Sequence, residues 1–152
     1  MRLGGLDFCE PVIAAMDCSF ISKSGSKTFG VDKFWSGVAA QTKKGLELSL
    51  LTLIHVASGK AWALDATQTP AGLSAKEGDQ SQYTRVNFYI EQILDLLPQL
   101  KHVKYFVADG YYGKTKIFKV FNEINKVLIT KLRPDANLRY ILPEIKRTGK
   151  KG

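Results

Sequence analysis

Cysteine and histidine are scarce in this 152-residue chain, with two of each. Cys9 and Cys18 match no disulfide framework, and His55 and His102 stand too far from them for zinc-ligand spacing. A disulfide-stapled scaffold and a structural zinc domain are therefore not expected. Long apolar runs are missing as well. A membrane helix needs about 18 or more consecutive apolar residues, and the best candidate, Leu48 to Val56, is far shorter and is preceded by Glu47. Met1 to Asp7 contains no apolar segment of the kind a secretory leader needs. The expectation is a cytoplasmic protein with no membrane partner. The length suits one domain.

Positive charge is what the chain has in excess, and it is unevenly spread. The formal net charge is +8; residues 101–152 hold 13 Lys/Arg against 4 Asp/Glu, whereas residues 1–100 hold 9 against 10. A one-sided basic field reads as a surface for a polyanion, nucleic acid being the commonest, or else as a solvated surface with a ragged basic tail.

Two apolar runs each carry one aspartate: Val12 to Phe20 contains Asp17, and Tyr105 to Gly110 contains Asp109. An ionised carboxylate buried in a hydrophobic strand loses hydration, so it is expected to be neutralised, paired or bound to a metal. On neighbouring strands the two would form a divalent-cation site.

The hydrophobic pattern orders the elements. Val12 to Ile21 reads as a strand, Gly45 to Val56 as a second, and Lys60 to Thr67 as a third, joined to the second by the Ser58-Gly59 turn. The period then changes: Val86, Tyr89, Ile90, Ile93, Leu94 and Leu97 form a helical stripe with Thr84 as N-cap and Pro98 as terminator. Tyr105 to Asp109 is a fourth strand, Ile117 to Ile124 a second helix and Val127 to Leu132 a fifth strand. The order βββαβαβ predicts an α/β domain with a mixed sheet, its later strands parallel and its central strands covered on both faces. Asp109 then falls at the carboxyl end of its strand, where open α/β sheets place ligands. Asp65 reads as a turn-side hydrogen-bonding residue, and Asp32 as structural in a polar and aromatic loop.

With these segments in hand, a resemblance emerges. Met16-Asp17-Cys18-Ser19-Phe20-Ile21, Phe29 to Gly37, Lys44 to Leu51, Ala63 to Pro70, Val107-Ala108-Asp109-Gly110-Tyr111-Tyr112 and Lys131 to Tyr140 together resemble, in order and spacing, the DDE transposases of bacterial insertion sequences. The resemblance implies a ribonuclease H-like core over residues 1–140 with a basic tail over 141–152. It implies Asp17 and Asp109 as the first two catalytic acids and metal ligands, with two Mg²⁺ or Mn²⁺ ions in the complete domain. The implied reaction is metal-dependent cleavage of DNA and strand transfer, with transposon ends and target DNA as partners. A second copy or a full-length transposase is the implied protein partner.

The family's third acid is a Glu on a helix after the fifth strand, within a Tyr-x2-Arg-x6-Lys segment. Glu144 is the only late glutamate here, and Pro143 interrupts its Tyr140-Ile141-Leu142 context. The chain is therefore expected to be the N-terminal part of a catalytic domain, truncated at its C-terminus and inactive alone.

Lys23, Lys27 and Lys33, with Lys43 and Lys44, flank the first loop among Phe29, Phe34 and Trp35, a basic and aromatic DNA surface or an ordinary loop core. Lys114 and Lys116 would lie near the scissile phosphate or on a solvated helix face, Tyr111 and Tyr112 over the site or in the core, and Lys131, Arg133 and Arg139 would extend the basic strip. Two other readings remain: a non-catalytic DNA-binding transposase remnant, and a ribonuclease H-like nuclease acting on RNA or structured junctions.

Overall fold

A computed structural model describes residues 11–73, 83–132 and 136. Its first strand, β1 (Val12–Ser22), is followed by β2 (Asp32–Ser36), β3 (Gln41–His55) and β4 (Ala61–Gln68). Helix α1 (Arg85–Leu96), strand β5 (Tyr105–Ala108), helix α2 (Thr115–Glu123) and strand β6 (Val127–Thr130) complete the order, with a 3-10 turn at Gly110–Tyr112 after β5. β1 pairs antiparallel with β3 and parallel with β5, and β5 pairs parallel with β6; β2 and β4 both pair antiparallel with β3. The expected mixed sheet is present.

Local sequence explains the boundaries. Asn87 Oδ1 accepts from Thr84 N at 3.1 Å and from Thr84 Oγ1 at 2.8 Å, closing the first turn of α1 at the expected cap. Pro98 follows the C-cap Leu97. At the end of α2, Asn125 takes a left-handed φ of 54°. That conformation lets Lys126 N reach Phe121 O at 2.9 Å and Asn125 N reach Asn122 O at 3.1 Å, a Schellman stop. Lys126 Nζ then donates to the carbonyls of Leu100, Lys101 and Val103, fastening the connection before β5 to the one before β6.

Both helices lie on one face of the sheet. Val86, Tyr89, Ile90 and Ile93 of α1, with Ile117 and Phe121 of α2, pack against Ala14, Met16, Leu51, Leu53 and Phe106. Phe106 and Phe121 meet edge to face, centroids 5.1 Å apart. The expectation of strands covered on both faces is corrected here. Among the described residues no helix covers the opposite face, where Tyr105 is 42% exposed and Ile129 50%.

A second difference is β2. The segment read as a polar and aromatic loop is a strand paired with the start of β3, from Asp32↔Gly45 to Ser36↔Gln41. β3 accordingly begins four residues earlier than its apolar pattern suggests, and β6 ends at Thr130 rather than Leu132. The expected domain boundary at residue 140 lies outside the described residues, as do Arg133, Arg139 and Glu144. No described helix is long and apolar enough to cross a membrane.

Gly45 sits where β1 ends and β2 begins to pair. A Cβ there would lie 2.4 Å from the Ile21 carbonyl oxygen and 2.5 Å from Phe20 Cε2, so backbone as well as side chain stands in its way. Gly45→Ala is expected to destabilise the domain by about 1–3 kcal/mol, a fall in Tm of roughly 2–12 °C; differential scanning calorimetry measures it, and an unchanged Tm would refute the packing argument.

Candidate active site

The β1–β5 ladder runs Ile13↔Tyr105, Ala14↔Phe106, Ala15↔Val107 and Met16↔Ala108. One further step in the same register sets Asp17 beside Asp109. Residues in register on parallel strands point to one side of the sheet, and alternate residues point to the other. Ala14, Met16 and Phe106 are buried under the helices. Asp17 and Asp109 therefore face the side without helices.

Both aspartates are exposed, which corrects the expectation of buried carboxylates. Their strands are apolar at successive positions because Ile13, Ala15 and Val107 on the open face are half-buried. The carboxylates nevertheless sit at the rim: Asp109 immediately follows β5, and Asp17 lies one step past the paired part of the ladder.

Several contacts fix these positions. Asp109 Oδ1 accepts from Tyr111 N at 2.9 Å, capping the 3-10 turn. Thr130 Oγ1 of β6 donates to the Asp109 carbonyl at 2.5 Å. The turn drives Tyr112 into the core at 1% exposure, where its hydroxyl lies 3.2 Å from Cys18 Sγ. Cys18 adjoins Asp17 in sequence, and Tyr112 belongs to the turn that Asp109 caps. One half-buried contact thus ties the two halves of the site together from beneath.

Around this contact lies a polar network on the helix side. Tyr89 OH donates to Glu47 Oε1 at 2.5 Å, Ser49 Oγ to Gln92 Oε1 at 2.5 Å, and Gln92 Nε2 to Asp65 Oδ2 at 2.5 Å. Thr67 Oγ1 also donates to Asp65 Oδ2, at 2.7 Å. Asp65 is engaged within the fold, in keeping with its reading as a hydrogen-bonding residue. Asp32 is likewise structural: it accepts from Gly72 N at 2.8 Å and from Lys33 N at 2.7 Å, with Arg85 at 3.7 Å. Burial opposes its ionisation, but those amides and the Arg85 charge outweigh it and hold its carboxyl below the usual range.

The basic residues gather at one end of the sheet. Because β1, β5 and β6 are mutually parallel, Lys114 and Lys116 after β5 and Lys131 after β6 lie beyond the strand ends next to Asp109, whereas Lys23 follows the end of β1, six residues past Asp17. Lys23, Lys27, Lys33 and Lys131 are exposed. Lys114 and Lys116 are half-buried and already engaged: Lys114 Nζ lies 4.8 Å from the Tyr111 ring centroid, and Lys116 Nζ donates to Asn87 Oδ1 at 2.9 Å. Tyr111 and Tyr112 belong to an aromatic cluster with Tyr89. Among the described residues, no group of three or more His, Cys, Asp or Glu side chains is arranged to hold a metal ion.

A six-stranded mixed sheet with two helices on one face and neighbouring carboxylates at the end of its β1–β5 ladder defines a ribonuclease H-like α/β domain. The chain belongs to the DDE superfamily endonucleases, whose family profile matches residues 6–152. No curated protein matches it. Among solved structures it is similar to Ciona intestinalis Endonuclease V in complex with a 23mer DNA containing an inosine followed by a ribo-adenosine. The identity is 12% and the TM-score 0.41, over 78% of this chain and 44% of that one. This chain therefore spans less than half the length of that neighbour.

The thiol beneath the site titrates unusually. Burial, with the nearby Glu47 charge, pushes Cys18 up from 9.0 to about 11. The folded state keeps a proton that the unfolded chain releases, so this contribution is fully present below about pH 9 and is lost as pH rises through about 11. In a Cys9→Ser background at pH 8, native Cys18 is expected to react with a disulfide reagent at least roughly 100-fold more slowly than in urea, from the thiolate fraction alone. Equal rates would contradict the buried placement.

Proposed function

We propose that this chain carries the first two acids of a DDE transposase catalytic core, acting in DNA transposition by metal-dependent phosphodiester cleavage and strand transfer, and that these 152 residues are inactive alone. The observation that carries the reading is the in-register neighbourhood of Asp17 and Asp109 at the end of the parallel β1–β5 ladder, in a chain of the DDE superfamily. Two exposed carboxylates held by neighbouring strands are suitable oxygen donors for a hard divalent cation, Mg²⁺ or Mn²⁺. They form two parts of a ligand set whose third acid is not among the described residues. When bound, such ions supply Lewis-acid stabilisation of the leaving 3′ oxygen and lower the pKa of the attacking water or hydroxyl.

The chain's own residues position and bind. Thr130 and the Tyr111 amide fix the Asp109 backbone and one carboxylate oxygen, while the Cys18–Tyr112 contact holds the turn against β1. Lys23, Lys27, Lys33 and Lys131 contribute sequence-independent contacts to DNA phosphates, as do Arg133 and Arg139; Lys114 and Lys116 do so only after leaving Tyr111 and Asn87. Glu144 stands in a context that Pro143 interrupts, so the remaining acid is assigned to no residue of this sequence.

Mn²⁺ binding followed by electron paramagnetic resonance is expected to be weak in the 152-residue chain and lost in Asp17→Asn and Asp109→Asn. Mg²⁺ at ten times its Kd should stabilise the native chain by about 1.4 kcal/mol and leave both variants unmoved. DNA cleavage by the chain alone should stay near background. Robust strand transfer that disappears in Asp17→Ala would refute inactivity alone, and preferential cutting of an RNA–DNA hybrid would favour a ribonuclease H-like nuclease. Salt-sensitive DNA binding with no metal binding at all would favour the non-catalytic remnant.

A further inference from the structure

Strand β3 keeps unbroken register with β1 from Val12↔His55 to Ser22↔Gly45, and then with β2 down to Ser36↔Gln41. Its alternation therefore carries from the sheet into the β2–β3 ribbon. Glu47, Ser49, Leu51 and Leu53 are buried on the helix side. Lys43 continues that side with its partner Phe34, which is fully buried under the Arg85 guanidinium at 4.3 Å. Lys44 and Thr42, with their partners Lys33 and Trp35, continue the other side, the one that carries Asp17 and Asp109.

Three features of that outward face call for an occupant. Lys33 and Lys44 stand directly opposite each other, an arrangement of like charges that destabilises a two-stranded ribbon. Neither ammonium makes an ion pair among the described residues, and Asp32, next to Lys33, is committed to Gly72, to Arg85 and to the Lys33 amide. Trp35 is 59% exposed and faces Thr42 rather than another aromatic, so its indole face is open. Arg85 holds the ribbon from behind, donating to the Lys33 carbonyl at 2.8 Å, so the outward groups are displayed from a fixed backbone.

We propose that the β2–β3 ribbon is a second DNA contact that grips an unpaired strand running from the aspartate pair, a phosphate seated between Lys33 and Lys44 and a base stacked on Trp35. This rests on the nucleic-acid reading above. An anion between the two ammoniums relieves their repulsion, and a stacked base needs an unpaired strand, since in a duplex its face is covered. Asp17 pairs with Leu50, six residues along β3 from Lys44, so the grip lies about 20 Å from the aspartates along the same face. Phosphate contact there positions the strand without reading its sequence.

The test uses the full chain with Trp62→Phe, which leaves Trp35 as the sole tryptophan. Titration with oligothymidylate is expected to quench its emission, and a blunt duplex of the same length to do so far less. Trp35→Ala should weaken oligothymidylate binding about tenfold by anisotropy. Lys33→Gln with Lys44→Gln should flatten the slope of log affinity against log salt by about 0.7, and Lys33→Arg with Lys44→Arg should restore it. Binding and quenching should persist in Asp17→Asn with Asp109→Asn, so a failed metal site and a failed ribbon are separate results. An unchanged salt slope in the double glutamine variant, an unmoved Trp35 emission, or equal quenching by the duplex would each overturn the proposal.

Discussion

The parallel ladder between β1 and β5 is the constraint on which the rest of the molecule depends. Parallel neighbours need a crossover, and the segment from Pro70 to Lys104, with α1 at its centre, supplies it. Once β5 lies beside β1 in this register, Asp109 has no position other than beside Asp17. A slip by one residue would turn Asp109 toward the helices and withdraw Tyr112 from Cys18. The same ladder points β1, β5 and β6 in one direction, which places Lys114, Lys116 and Lys131 past the strand ends on the side of Asp109.

The polar groups beneath the sheet serve this register. Tyr89 of α1 is hydrogen-bonded to Glu47 of β3, and Gln92 of α1 to both Ser49 of β3 and Asp65 of β4, while Cys18 and Tyr112 join β1 to the turn after β5. An apolar core of the same volume tolerates sliding, whereas donors and acceptors at fixed positions satisfy one another in a single arrangement. Tyr89 and Tyr112 are both held protonated, first by burial, and by the thiol and carboxylate groups around them. The network thus acts through neutral donors.

Much of this was legible in the sequence. Helix α1 announced itself through its apolar stripe, Thr84 and Pro98, and the β3–β4 hairpin through Ser58 and Gly59. Strand β2 did not. Asp32-Lys33-Phe34-Trp35-Ser36 is short, and its partner Gln41-Thr42-Lys43-Lys44 has no apolar alternation; what holds them is a backbone ladder and the Arg85–Phe34 contact from a distant helix. The aspartate pair was visible as two carboxylates in apolar runs, but their exposure was not. A run apolar on successive residues resembles a strand buried on both faces, and here one face is only half-covered. The third acid was not legible: the only late glutamate, Glu144, follows Pro143 out of the family's pattern, and it lies outside the described residues.

Strand β3, Gln41–His55, carries one alternation through two partners. In that sense it transmits phase. Adding or removing one residue between Lys44 and Leu50 would rotate the entire ribbon, sending Lys33, Lys44 and Trp35 to the helix side and Phe34 into solvent. Adding or removing two would preserve every facing and change only the reach from the aspartates. Length variation in this stretch is therefore expected to come in even steps, with the odd steps removed by folding before any contact with DNA is tested.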